Sequence, residues 1–252
     1  MTRLTLARPR LVIATCLALT SLVAPATAQI PEKFTNLQVL PKNISKDELV
    51  STMRGFAGGL GVRCTHCHVG GTETDLTGMD FSSDEKKEKK IARAMLAMVK
   101  EINGSLIQRT GIENPIQVKC ATCHHGVRRP ESLADVLRRK ISSGGVDSAK
   151  VEYLALKEKY FGAGAYDFKP RSLNEVAEWL ANERDDNDAA IAIMKFNIEQ
   201  DPNVAYSFNL LGRIQMAKGD KQAAIASFKR AIELDSSDKW SARLLKELEE
   251  KP

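Results

Sequence analysis

Between residues 45 and 60, Leu49, Met53, Phe56 and Leu60 fall on one face at helical spacing, behind Ser45 and Glu48 in the S-x-x-E pattern of a capping box. Gly58-Gly59 loosens the end of this helix. A second stripe, Ile91, Met95, Met98 and Ile102, runs up to Asn103-Gly104, with Ser82 and Glu85 as a second capping box ahead of it. The charged run Lys86, Lys87, Glu88, Lys89 and Lys90 reads as the solvated start of that helix. After Pro130 the chain changes to helix formers whose apolar positions recur with a fixed period. The pattern predicts an all-α protein with a helical unit over residues 29–130. A helical linker or degenerate first repeat follows at 131–170, then repeats with a capping helix over 171–252.

One apolar run does not fit a folded helix. Arg3, Arg8 and Arg10 precede an almost wholly apolar stretch from Leu11 to Val23, and Ala26-Thr27-Ala28 supplies the small residues of a cleavage site. Residues 1–28 therefore read as a secretory signal peptide, since the apolar run is shorter than the roughly 20 residues that span a bilayer. Its removal changes the composition. The whole chain has 37 Lys+Arg, 32 Asp+Glu and an odd number of cysteines, five. Without the first 28 residues the net charge of +5 falls to +2 and Cys16 is gone. No basic patch remains to suggest nucleic acid. The expected location is outside the cytoplasm, in the periplasm, where cysteines can be oxidised.

The four remaining cysteines lie in two segments, Cys64-Thr65-His66-Cys67-His68 and Cys120-Ala121-Thr122-Cys123-His124. Both are C-x-x-C-H. Two thiols three positions apart on one helical turn can add to the two vinyl groups of a haem, and the histidine that follows can meet the iron as proximal ligand. A pair of redox disulfides would not need a histidine after the second cysteine in both copies. A zinc site built from Cys67, His68 and the second motif is a further alternative. Two copies that absorb every cysteine of the exported chain favour two covalently attached haem c groups, on Cys64, Cys67, Cys120 and Cys123, with His68 and His124 as proximal ligands. His66 is held inside the attachment loop, and His125 is expected to meet solvent or a haem propionate.

All four histidines are used in or beside these motifs, so the distal ligand is a methionine, a water or an open position. A His/Met pair leaves no place for substrate and suits electron transfer. Met79 lies in a Gly- and Thr-rich stretch that makes a poor platform. Met53, Met95 and Met98 stand on the two predicted helices, where methionine is more often core than ligand. Spacing alone does not choose between Met95 and Met98.

Asn36-Leu-Gln-Val-Leu40, the Met53 helix, Cys64 to His68, Met95-Leu-Ala-Met98 with Ile102-Asn103, and Cys120 to Gly126 together resemble the cytochrome c subunit of the bacterial photosynthetic reaction centre. The resemblance covers about residues 34–130. It implies a repeated unit of helix, loop and C-x-x-C-H helix with the haem lying along the paired helices. Carried over residue by residue, it implies Met53 and Met95 as distal ligands, with Met98 as a core residue beside the haem. The chain departs from that family in having two motifs rather than four, a longer loop before Cys120, and no lipid-bearing cysteine at the expected mature N-terminus.

Residues 205–238 match the 34-residue tetratricopeptide pattern through Phe208, Leu211-Gly212, Gly219-Asp220, Ala224, Phe228, Ala231 and Leu234. One period earlier Ala190, Met194, Asn197 and Pro202 echo the second helix of such a repeat. Val146 to Tyr160, after Ser143-Gly144-Gly145, offers a third, degenerate copy, and Trp240 to Leu248 the capping helix. Trp179 and Trp240 read as inter-helix packing. The combined expectation is an exported dihaem electron carrier for a photosynthetic or respiratory chain. Its partners would be redox proteins, a membrane complex or reaction centre among them, with a protein segment in the groove of the repeats. A dihaem peroxidase needs one open distal face, and a redox-sensing scaffold would be led by the repeats.

Overall fold

The computed structural model describes residues 30–250; the expected signal segment at 1–28 lies outside the described residues. Helix α1 spans Lys46–Leu60. Its capping box forms as expected, with the Ser45 hydroxyl accepting from the Glu48 N–H and the Glu48 carboxylate accepting from the Ser45 N–H. The helix ends at Gly61 in the left-handed region, φ 63°. A Cβ there would sit 2.0 Å from the carbonyl oxygen of Gly126, so glycine is required on both counts.

Helix α2 spans Lys87–Glu101 and departs from expectation at both ends. Ser82 and Glu85 do not cap it: the Ser83 hydroxyl takes the Glu85 N–H, the chain turns once more, and Lys86 is the N-cap without a side-chain bond. The charged run is also not simply solvated. Lys89 is buried, its ammonium donating to the carbonyls of Phe81, Ser82 and Ser83, so it closes the turn that leads into the helix. At the other end the chain does not stop at Asn103-Gly104 but widens into a π-turn, Ile102–Leu106. The Asn103 amide is engaged elsewhere and does not compete with its own backbone: Nδ2 donates to Val118 O and Oδ1 accepts from Val118 N–H, both at 2.8 Å. This clasp closes the loop that leads into α3, Cys120–His124.

Helix α4, Leu133–Tyr160, folds back on itself at Gly145, whose φ of 77° and ψ of 178° lie in glycine territory. Lys140 and Glu152 would be about 18 Å apart along a straight helix, yet they form an ion pair at 3.1 Å. Five helices follow: α5 Pro170–Glu183, α6 Asn187–Gln200, α7 Ala205–Lys218, α8 Lys221–Leu234 and α9 Lys239–Glu250. Each packs mainly on its chain neighbours, as stacked repeats require. Asp186 and Asp220, one 34-residue period apart, cap α6 and α8 in the same way. Leu137, Ala149, Tyr153, Val176, Ile193, Met194 and Leu210 belong to one continuous core.

A buried polar ladder runs through the first helix of each pair. Ser207 on α7 donates to the Asn174 amide oxygen of α5 at 3.4 Å, and Asn209 on α7 donates to the Ser241 hydroxyl of α9 at 2.8 Å. Asn197 also donates to Asn174, at 2.7 Å. Satisfied in this way, the groups fix the register of successive repeats. Trp179 packs against the core as expected. Trp240 does not: its ring is half exposed, flanked by the guanidinium groups of Arg213 and Arg243.

At Gly212 a Cβ would lie 2.7 Å from the ring of Phe228, which is fully buried and cannot swing away. Gly212→Val should therefore lower stability by about 1–3 kcal/mol through overpacking, seen as a lower urea midpoint of the helical circular-dichroism signal.

Candidate functional site

The two C-x-x-C-H segments fold differently. Cys64–His66 is a single 3₁₀ turn, with the Cys67 and His68 N–H groups both donating to Cys64 O at 3.2 and 3.0 Å. Cys120–His124 is one α-helical turn. Each brings its two cysteines and the following histidine onto one turn, and all four cysteines are free thiols. Burial pushes the Cys67 and Cys120 thiols up from their ordinary range, with the Glu88 carboxylate adding to the effect at Cys67.

His124 is buried, and its Nδ1–H donates to Val127 O at 2.9 Å. That bond selects the tautomer whose Nε2 lone pair is free to bind a metal. His125 adopts φ 47° and is exposed, and the turn closes with the Gly126 N–H donating to Gly59 O at 3.0 Å. His68 is half-buried beside Phe81, ring centroids 5.1 Å apart, and its Nδ1 is buried without a partner. Burial first, and then the nearby Lys89 ammonium, lower its pKa, so its imidazole is neutral and able to act as a ligand.

Helix α1 packs against α3 at close range: a Cβ on Gly59 would meet Ala121 N at 3.0 Å. The helix that precedes the first motif thus braces the second, and the two motifs form one interlocked unit. Met53 is half-buried on α1. On α2, Met95 and Met98 are both exposed together with Ile91, and Leu106 continues the same apolar strip. Among the described residues no three His, Cys, Asp or Glu side chains converge as a metal-holding group. The zinc alternative needed such convergence between Cys67, His68 and the second motif.

Two further groups were not singled out by the motifs. Asn36 and Gln38 donate to the carboxylate of Asp84, which also pairs with Arg93 at 2.8 Å and Lys89 at 3.1 Å. These bonds hold the Asp84 carboxyl well below the usual carboxylate range, the Arg93 guanidinium contributing most. The Lys86 ammonium donates to Thr65 O, inside the first attachment loop. In the sequence Asn36 and Gln38 lay in a segment that carried the family resemblance, Lys86 and Lys89 lay in the charged run, which by default reads as a solvated face, and Asp84 and Arg93 gave no signal.

Haem c fits these residues on three counts. The donor set has paired thiols followed by an imidazole. His68 keeps a buried ring nitrogen without a protein partner. The apolar strip of α2 is exposed, while Leu49 and Val127 are the only buried apolar side chains described before residue 130. A large flat apolar group would supply the missing core.

Comparison with known proteins agrees with this chemistry. The family described as the photosynthetic reaction centre cytochrome C subunit matches residues 14–155, which takes in both motifs and runs past residue 130 into the second limb of α4. A tetratricopeptide repeat matches residues 205–238. Cytochrome c-554 of Chloroflexus aurantiacus is 34% identical over 91 residues, which is 36% of this chain and 20% of that protein. The chain thus spans about a fifth of the length of this curated relative. Among solved structures, the first tetratricopeptide domain of Spaghetti (RPAP3), bound to an HSP90 peptide, aligns at a TM-score of 0.32 and 15% identity over 46% of this chain and 87% of that one. With more than half of its length matched, this chain belongs to the family of the photosynthetic reaction centre cytochrome c subunit.

Proposed function

We propose that the protein is a periplasmic dihaem cytochrome c that passes single electrons between protein partners in a photosynthetic or respiratory chain. The observation that carries this reading is the pair of complete C-x-x-C-H turns, each with its histidine buried or half-buried. Haem supplies the one-electron chemistry when bound. The protein holds it: Cys64 and Cys67 by thioethers with His68 and Met53 as axial ligands, and Cys120 and Cys123 with His124 and Met95. The α1–α3 contact keeps the two attachment turns at a fixed separation. Residues 29–130 form the haem unit in this reading. Residues 131–170 are a linker or a degenerate first repeat, and 171–252 dock a protein segment. No described helix is long and apolar enough to cross a membrane.

The haem content of the purified protein tests the reading directly. Two haems per chain with c-type absorption bands on reduction are expected; one haem, or zinc in their place, overturns it. Met53→Ala and Met95→Ala should each remove one set of His/Met signals from the spectrum. Retention of both sets in Met95→Ala, with loss in Met98→Ala, moves the second ligand to Met98. Rapid peroxide turnover would instead indicate the peroxidase, which requires an open distal face. Partner capture that changes with oxidation state would indicate a sensor led by the repeats.

A further inference from the structure

We propose that Asn103 is a positioning residue for the haem of the second motif. Its two-bond clasp on Val118 holds the methionine-bearing helix α2 in place relative to the Cys120 turn, and without the clasp the distal methionine leaves the iron. The inference rests on the reading above, in which Cys120, Cys123 and His124 hold a haem whose distal ligand comes from α2, Met95 or else Met98.

The chain gives α2 little else with which to keep that relation. Helix α3 is braced by α1, whereas α2 packs chiefly on the π-turn that continues it. Between that turn and Cys120 runs the loop 107–119. Gly111 and Asn114 turn it at positive φ, 67° and 49°, and Ile112 and Ile116 are exposed, so apolar packing at its tip does not hold it. Among the described residues, the side-chain hydrogen bonds that cross from 87–106 to 112–124 are the two made by Asn103. Both partners are half-buried. A side-chain amide carries a donor and an acceptor together, so Asn103 satisfies both backbone groups of Val118, two residues ahead of Cys120. The turn that carries Asn103 is itself irregular, closed by the Ile107 N–H on Ile102 O, and such turns recur at functional sites.

The ligand needs this help. Methionine binds through a neutral thioether, and a tethered ligand's hold on its site depends on the effective concentration that the tether gives it. An open loop spreads that concentration over a large volume; a clasp that closes the loop restores it. Met53 needs no such device, because only Gly61 to Arg63 separate α1 from Cys64. Loss of the clasp therefore acts on one haem and not on the other.

Carbon monoxide added to the reduced full-length holoprotein, and imidazole added to the oxidised one, test this, with haem counted on the same sample as its pyridine adduct. Asn103→Ala should open one haem of the two. It should take one carbon monoxide per chain and bind imidazole about tenfold more tightly than the parent protein, the scale of two lost hydrogen bonds. The His/Met signals of the other haem and the helical circular dichroism should stay intact. Asn103→Asp keeps the bond from Val118 N–H and loses the one to Val118 O, so it should shift imidazole affinity in the same direction by less; it decides the question if Asn103→Ala does not fold. Parent-like binding of both probes in these variants, or both haems opening together, overturns the proposal. In the same assay Met95→Ala or Met98→Ala should open the same haem. If neither opens any haem, the assignment of the distal ligand to α2 fails, and a haem count of one overturns the two-haem reading itself.

Discussion

Made in a cytoplasm that attaches no haem, the chain from residue 29 onward is expected to fold only in its C-terminal half. Ordering the backbone costs about 1–2 kcal/mol per residue, and only apolar burial on the scale of a core offsets it. The repeats have such a core, with Leu137, Val176, Ala177, Ala190, Met194, Phe228 and Ala231 all completely shielded. Before residue 130 the described chain buries only Leu49 and Val127 among apolar side chains, and Ile91, Met95 and Met98 are exposed. Amide hydrogen exchange should therefore show protected helices α4 to α9 and nearly unprotected amides in α1 and α2. The holoprotein should protect both sets. Strong protection of α2 in the haem-free chain would show that this half stands without the group and would remove the missing core as an argument for haem.

The same contrast explains what the sequence disclosed. The α1 stripe and its Ser45–Glu48 box were legible because both signals are local and agree. The C-x-x-C-H turns were legible because attachment chemistry fixes residue type and spacing together. At α2 the local signals misled. Ser82 and Glu85 have the spacing of a box, but Asp80 accepts from the Ser82 N–H and hydroxyl, and Ser82 O is taken by Lys89 and Asn36. A tertiary network with Asn36, some fifty residues earlier, outcompetes the local cap. Lys89 was illegible for the same reason, since a lysine in a run of lysines gives no hint that three carbonyls converge on it. In the repeats, Leu211-Gly212 and Phe228 announced the motif, whereas the ladder of Asn174, Ser207, Asn209 and Ser241 passed unnoticed because polar residues on a helix read as solvent-facing. The hairpin in α4 lay between these cases: Gly144-Gly145 marked a break, but the direction of the second limb depends on the core it meets.

That second limb carries the other large effect. Tyr153→Ala should destabilise the repeats by about 3–5 kcal/mol, in line with the removal of a buried aromatic side chain, against a total of about 5–15 kcal/mol for a typical domain. The Tyr153 ring is fully buried edge-on between Phe168 and Phe196, with centroids 5.7 and 5.3 Å away, and its hydroxyl donates to Phe168 O at 3.3 Å. It therefore ties α4 to the loop before α5 and to α6 at one point, and its loss leaves a cavity bounded by two rings that cannot collapse together. Tyr153→Phe keeps the ring and should lose only the hydrogen bond, about 0.5–1.5 kcal/mol. Urea unfolding followed by circular dichroism measures both, and a loss below about 1 kcal/mol for the alanine variant would show that the site repacks. The haem absorption of the same samples bears on how the chain divides, because the family match ends at residue 155 and so includes Tyr153. If the haem unit ends near residue 130, Tyr153→Ala should leave the His/Met signals intact at urea concentrations that unfold the repeats. Simultaneous loss of both signals would instead make α4 part of one cooperative unit with the haems, and the repeats would be a support for the redox centre as well as its docking arm.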